Sequence, residues 1–283
     1  KLIECPRDAK HGIKTFNPTQ EKEHYFQTLL NCNFHSLDFG SFVSPKAIPQ
    51  MADTAAVLDR LDLSQTPTKL LAIVANVRGA MAACSHPEID FLGYPFSISE
   101  NFQMRNTHST ISQAIKVLSE ILNLADQYHK KVVVYLSMGF GNPYGDPWST
   151  EIVQEWTARL AVMGVEILSL SDTVGSAHTT DIKALFESLV PAYSNIEFGA
   201  HLHCKPQEWR DKIHTAYLAG CRRFDGAIQG FGGCPMAADA LTGNMPTEKM
   251  LSYFSSQKIE HRVRWMAFEA AHNKASAIFQ KYH

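Results

Sequence analysis

The sequence predicts an α/β chain folded as a (β/α)8 barrel, with additional helices after the eighth strand. Three observations carry that reading. Short, apolar, β-rich runs alternate with longer segments of helical spacing eight times within about 230 residues, the rhythm of a closed parallel barrel. No Gly-x-Gly-x-x-Gly follows the first run, so the competing doubly wound sheet lacks its dinucleotide fingerprint. The 283 residues are 45% hydrophobic and only 19% charged, a balance that fills one large core.

The strand-like runs are 2–5, 36–39, 69–74, 90–94, 132–137, 166–170, 197–200 and 224–228. Amphipathic helical segments lie between them at 19–30, 109–128, 150–163, 179–189 and 206–219. Thr19, Ser149 or Thr150, and Thr180 stand where a hydroxyl can cap a helix N-terminus. Gly164 and Gly220 stand where a helix must end before the next strand. Two further helical segments, 247–256 and 260–281, follow the eighth strand. Neither a linker nor an internal repeat interrupts the chain. We expect a single domain over residues 1–283, with the barrel in about 1–230 and a cysteine-containing loop plus helices in about 230–283.

Composition removes several function classes. Lys and Arg total 26 against 28 Asp and Glu, and no dense basic run appears, so nucleic acid is not the expected partner. The longest apolar runs are strand-sized, far short of the ~20 residues of a membrane span. The six cysteines, at positions 5, 32, 84, 204, 221 and 234, form no Cys-x-x-Cys pair, which fits a reducing compartment. The first residues already read as a strand rather than a signal peptide, so a cytoplasmic protein is expected.

In a barrel, chemistry belongs at the C-terminal ends of the strands. After strand one come Arg7 and Asp8, a cation beside a carboxylate; the same pair also suits a surface ion pair or a helix cap. Asp38 lies inside an apolar strand, where a carboxylate is costly unless paired or ligated. Asp172 ends strand six and is equally placed to cap the next helix. Strand seven reads Gly199-Ala200-His201-Leu202-His203. Residues i and i+2 share a strand face, so both imidazoles can meet one metal ion while Leu202 packs away. After strand eight, Gly230-Phe231-Gly232-Gly233-Cys234-Pro235 describes a loop whose backbone can pass close to a ligand, and Asn244 offers an amide oxygen. Asp8, His201, His203 and Asn244 together supply two oxygens and two nitrogens. That set suits Mg²⁺ or Mn²⁺, with Zn²⁺ or Co²⁺ as alternatives.

These residues, with Ser41-Phe42-Val43-Ser44-Pro45-Lys46, Pro49-Gln50-Met51, Ser171-Asp172-Thr173-Val174-Gly175 and Gly243-Asn244, resemble the hydroxymethylglutaryl-CoA (HMG-CoA) lyase family. That family is a branch of the DRE-TIM metallolyases, and the match runs in order through about residues 2 to 250. The resemblance implies a TIM barrel, a divalent cation, an acyl-CoA thioester substrate, and retro-Claisen cleavage of HMG-CoA to acetyl-CoA and acetoacetate, as in leucine degradation. It implies that Asp8, His201, His203 and Asn244 bind the metal. Arg7 would stabilise the enolate and Cys234 would protonate it from the loop. Asp38 stands where the lyases carry Glu, and Asp172 matches a carboxylate near the substrate. The proton taken from the substrate hydroxyl goes to Asp38, Asp172 or His201, among which the residues do not choose. Ser41, Asn76 and Thr173 are substrate-binding candidates, Asn76 being equally suited to capping a loop. A homodimer is implied as well.

Three departures accompany the match. His-x-His is followed by Cys204-Lys205 rather than Asp-Thr, removing a carboxylate expected to support the metal ligands. Ala9-Lys10-His11 replaces Gly-Leu-Gln, and Asp38 is one methylene shorter than Glu. They keep two other readings open: a related metal-dependent aldolase or Claisen-type acyl-CoA synthase, and a non-catalytic barrel that binds a CoA thioester.

Overall fold

A computed structural model of the chain describes residues 1–10, 13, 15–233 and 242–282. It is a closed barrel of eight parallel strands: β1 (Leu2–Glu4), β2 (Ser36–Ser41), β3 (Lys69–Ile73), β4 (Ile89–Ser97), β5 (Lys131–Ser137), β6 (Ile167–Asp172), β7 (Glu197–Cys204) and β8 (Arg223–Gly226). Neighbours pair in sequence order, and β1 pairs with β8 to close the ring. The expected strands are all present. β7 runs past the apolar 197–200 run to Cys204, so both histidines lie within the strand, as the i, i+2 reading requires. A ninth strand, β9 (Gly243–Asn244), has no counterpart in the sequence reading and pairs antiparallel with the end of β7.

The helices that cover the barrel are α1 (Pro6–Ala9), α2 (Thr19–Leu30), α3 (Thr54–Leu58), α4 (Val77–Cys84), α5 (Glu100–Thr107), α6 (Ile111–Gln127), α7 (Thr150–Val162), α8 (Thr179–Ala192) and α9 (Trp209–Leu218). After them come α10 (Thr247–Ser256) and α11 (Trp265–Tyr282). Local chemistry explains their ends. Thr110 and Gln113 form a reciprocal capping box ahead of α6, and Ser149 accepts the Ile152 N–H ahead of α7. Thr19 is not a cap: it is the first helical residue after Pro18, and its hydroxyl donates to Asp53 (2.7 Å). Nor does Thr180 cap, because α8 starts one residue earlier. Gly164 and Gly220 close their helices at φ +90° and +103°, where a side chain is strained. α6 lays Ala114, Leu118, Ile121 and Ala125 on the sheet at helical spacing. Burial of each large side chain there is worth about 1.5–3 kcal/mol.

Inside the ring the wall divides in two. Leu71, Ile73, Phe91, Val133, Tyr135 and Ile167, from β3 to β6, form an apolar half. β7, β8 and the residue just after β1 contribute His201, Asp225 and Cys5 to the facing half, so polar groups gather on one side of the axis. Among the described residues no helix is long and apolar enough to cross a membrane.

Candidate active site

The strand ends open into a cavity of about 470 Å³ lined by Arg7, Asp8, Ser137, Ser171, Thr173, His201 and His203, and roofed by the loop after β2 and the end of α5. A larger hollow of about 1000 Å³ lies at the opposite, N-terminal face around Lys1, His35 and Lys69. The chemistry-bearing strand ends do not reach it.

Asp8, His201 and His203 offer ligand atoms that all lie within 4.8 Å of one another. The strand period places His201 and His203 on one face, with their Nε2 atoms 3.3 Å apart. α1 returns Asp8 to the same point, its Oδ2 3.9 Å from His201 Nε2. Metal bonds of ~2.1 Å at right angles put donor atoms ~3 Å apart, so these spacings fit one six-coordinate cation. Backbone pairing brings Asn244 alongside His203. It sits opposite His203 in the β7–β9 register and is buried. Its Nδ2 donates to the Phe231 carbonyl (2.8 Å), which fixes the amide and leaves Oδ1 as the acceptor. Gly232 passes between these groups at φ +87°. A Cβ there would lie 2.4 Å from the Asp8 carbonyl oxygen and 2.9 Å from Asn244 Nδ2, so only glycine fits.

Asp225 was not anticipated. From β8 it accepts from His201 Nδ1 (3.1 Å), which assigns the ring proton to Nδ1 and turns the Nε2 lone pair to the shared point. Burial pulls His201 down, but the Asp225 hydrogen bond and the charges of Asp225 and Asp8 outweigh it and hold the imidazole above its ordinary range. The rule applied to Asp38, that a carboxylate inside an apolar strand needs a partner, would have found Asp225. Position 204, where the family's carboxylate is missing, faces the other way. The Cys204 sulfur lies 3.8 Å from the Met245 sulfur in the core. The carboxylate behind His201 comes from β8, so that departure does not strip the site.

Arg7 is held in one plane. Nε and Nη2 donate to Asp38, the latter at 2.6 Å, and Nη1 lies 3.3 Å from Asp8 Oδ1. Burial opposes the charge on Arg7, yet the Asp38 and Asp8 carboxylates hold the guanidinium firmly protonated. Burial pushes the Asp38 carboxyl up, with Arg7 pulling against it. Asp38, despite its shorter side chain, reaches the guanidinium, but it does not line the cavity.

The other candidates separate. Thr173 lines the cavity while its Oγ1 accepts the Met138 N–H (2.8 Å). Ser41 is buried and bonded to its own loop, accepting from Val43 N at 3.1 Å. Asn76 caps α4 by accepting the Gly79 N–H (2.8 Å) and stands outside the cavity. Asp172 is buried behind the cavity wall, with Oδ2 on Lys212 (2.8 Å) and Oδ1 on Ala177 N (3.0 Å). Cys234 lies outside the described residues. Lys10, in the altered Ala9-Lys10-His11 segment, is buried with its amine 4.3 Å from the Phe26 ring centre; burial pushes it down to about 7.

The chain matches the HMGL-like family model over residues 4–274. It is 30% identical over 285 residues to the 3-hydroxy-3-isohexenylglutaryl-CoA/hydroxymethylglutaryl-CoA lyase of Pseudomonas aeruginosa, covering 99% of this chain and 93% of that one. It is 30% identical to the cytoplasmic 3-hydroxy-3-methylglutaryl-CoA lyase of Rattus norvegicus over 89% of this chain and 73% of that one. The Bacillus subtilis HMG-CoA lyase structure superposes with a TM-score of 0.91 at 26% identity, covering 100% and 93% of the two chains. The Acinetobacter baumannii HMG-CoA lyase, solved in complex with coenzyme A and 3-methylmalate, superposes with a TM-score of 0.89 at 26% identity, covering 98% and 90%.

Proposed function

We infer function from membership: this chain belongs to the HMGL-like family, and it is a carbon–carbon lyase that cleaves HMG-CoA to acetyl-CoA and acetoacetate. The observation that carries the reading is the meeting of Arg7 and Asp8, from the end of β1, with His201 and His203, from the end of β7, at one cavity wall. The spacings of Asp8, His201 and His203 fit a divalent cation, to which the Asn244 amide, paired beside His203, adds a fourth donor; Mg²⁺ or Mn²⁺ is the best match to oxygen and imidazole ligands. When bound, such a cation polarises the substrate hydroxyl and carboxylate oxygens and lowers the hydroxyl's pKa.

The remaining work belongs to the chain. Asp38 and Asp172 stand off the cavity and His201 is committed as a ligand, so the hydroxyl proton passes to solvent at the cavity mouth; the oxygen's electron pair then forms a new carbonyl, and the adjacent C–C bond breaks. Its electron pair passes to the thioester as an enolate, and a proton on the enolate carbon completes acetyl-CoA. Arg7, its plane fixed by Asp38, supplies a preorganised positive charge for the enolate oxygen. We assign the closing proton to Cys234 on the glycine loop. Asp38 and Asp172 act by holding Arg7 and the β6 loop, since each is buried behind the group it binds. Thr173 and Ser41 are the substrate-side candidates, of which only Thr173 lines the cavity. A single domain, a homodimer, a cytoplasmic setting and a place in leucine degradation complete the proposal.

The test is acetoacetate release from HMG-CoA with Mg²⁺ or Mn²⁺, with and without chelator. Metal-dependent release is expected; its absence would overturn the reading. The Pseudomonas aeruginosa relative also bears the name of a longer-chain substrate, so the same assay on 3-hydroxy-3-isohexenylglutaryl-CoA compares the two side chains directly.

A further inference from the structure

We propose that Lys212 is a positioning residue that sets the metal-binding edge of the barrel mouth. The inference rests on the metal-lyase reading above and concerns a residue that touches neither substrate nor metal. Lys212 projects from α9 into the wall of the barrel and is only 3% exposed. Taking an ammonium out of water costs several kcal/mol unless its hydrogen-bond donors are matched. Here all three are. Nζ donates to Asp172 Oδ2 (2.8 Å), to the His203 carbonyl (2.9 Å) and to the Gly175 carbonyl (3.1 Å).

These acceptors lie on three separate pieces of the mouth: the end of β6, the loop after it, and the end of β7. Each piece carries a site group. Ser171 and Thr173 flank Asp172 and line the cavity. His203 bears a ligand imidazole. Gly175, at φ +73°, passes close beside Thr242, where an added Cβ would fall 2.4 Å from Thr242 Cγ2, and Thr242 leads into Gly243 and Asn244. Asn244 in turn pairs with His203 across β7 and β9. One ammonium therefore bonds the strand that carries His201 and His203 and, through Gly175 beside Thr242, adjoins the segment that carries Asn244.

A bare charge-neutralising role would need contact with Asp172 alone. The two backbone carbonyls, one on a ligand residue, make Lys212 a strut between strands. The β6–β7 ladder ends at the Asp172–Leu202 pair, so removal of Lys212 loosens the stretch of β7 just beyond it, which holds His203, and Asn244 shifts with it. Nothing in the short-range sequence of α9 marks this lysine, because its partners lie 9, 37 and 40 residues upstream.

The test separates strut from counter-ion. Mn²⁺ affinity, read from the free-ion EPR signal, and thermal stability are measured on the full chain, on Lys212→Met, and on Lys212→Met with Asp172→Asn. The single variant is expected to lose stability and to bind Mn²⁺ about tenfold more weakly. The double variant, relieved of the unpaired carboxylate, is expected to recover stability but not Mn²⁺ affinity. Full recovery of both makes Lys212 a counter-ion only and overturns the proposal. So does wild-type affinity in the folded single variant. Should the single variant fail to fold, the double variant decides; should both fail, the role lies in folding and the proposal is overturned. A wild-type chain that binds no Mn²⁺ removes the metal reading itself, whereas equal affinity in wild type and variant removes only the strut.

Discussion

Asp225→Asn should weaken metal binding while leaving the fold as stable as before, or more stable. The carboxylate holds His201 by one charge-assisted bond, Nδ1 to Oδ2 at 3.1 Å, and Asp225 is 2% exposed. An asparagine keeps the shape and can still offer an oxygen, but without the charge. Hydrogen bonds to charged groups are worth about 1.5–3 kcal/mol against about 0.5–1.5 for neutral pairs, so the change removes about 1–2 kcal/mol of support. At about 1.4 kcal/mol per decade, that is roughly a tenfold loss of metal affinity. The fold should respond in the opposite sense. Asp225 Oδ1 is buried without a hydrogen-bond partner, so removing the charge relieves a desolvation cost. Mn²⁺ titration followed by EPR, set beside thermal melts, checks both signs. Turnover lost at low metal should return at saturating metal. A variant with wild-type Mn²⁺ affinity, or one whose lost activity no concentration of metal restores, would refute the argument that Asp225 acts through His201.

Arg7→Gln is expected to lower turnover by about 10²–10³, the usual cost of losing one preorganised charge at a developing oxyanion. Because Asp38 is 1% exposed and depends on that guanidinium, the single variant also strands a buried carboxylate at a cost of about 3–5 kcal/mol. Arg7→Gln with Asp38→Asn should restore stability but not rate, and recovery of both would remove Arg7 from the chemistry. Glu4 provides a pH test. It is fully buried, and burial raises its carboxyl from 4.5 to about 8 against the opposing bonds from Thr247 and Ile228 N. The raised value means the neutral form is the one the fold prefers. Its stabilisation is complete below about pH 4.5 and declines as pH rises toward 8, at up to about 1.4 kcal/mol per pH unit. Glu4→Gln should flatten the pH dependence of the melting temperature between pH 5 and 9; parallel profiles for the two proteins would rule Glu4 out.

What the sequence reveals follows from where each signal is stored. Strands and amphipathic helices are written locally, in runs of period 2 and 3.6, and they emerged nearly in place. The meeting of His201 and His203 is legible for the same reason, since i and i+2 on a strand is a local statement about a face. The apolar run of strand seven nevertheless stops at Ala200 while β7 continues to Cys204, because alternating histidines and a cysteine lower the apolar signal that a buried strand usually gives. β9 is two residues long and has no pattern of its own; it is a strand only because β7 offers an edge. Asn76 shows the converse. Its local option, accepting Gly79 N–H at the start of α4, takes the side chain away from the cavity.

The departures from the family pattern are where local reading fell short, and the geometry resolves two of them. The missing carboxylate at position 204 had implied a weakened ligand shell, on the assumption that a residue next to His203 serves it. On a strand the adjacent residue serves the opposite face, and Cys204 packs against Met245. Support for the imidazoles comes instead from Asp225 beside the ring of His201 and from Lys212 beneath the backbone of His203. Neither is a sequence neighbour of the residue it supports. The shortened Asp38 follows the same logic: a side chain that must reach the substrate loses function with one methylene, but one that need only grip Arg7 keeps its bond at 2.6 Å. In this chain the groups placed to orient the proposed ligands therefore come from the strand and the helix that stand close enough to hold them, β8 and α9.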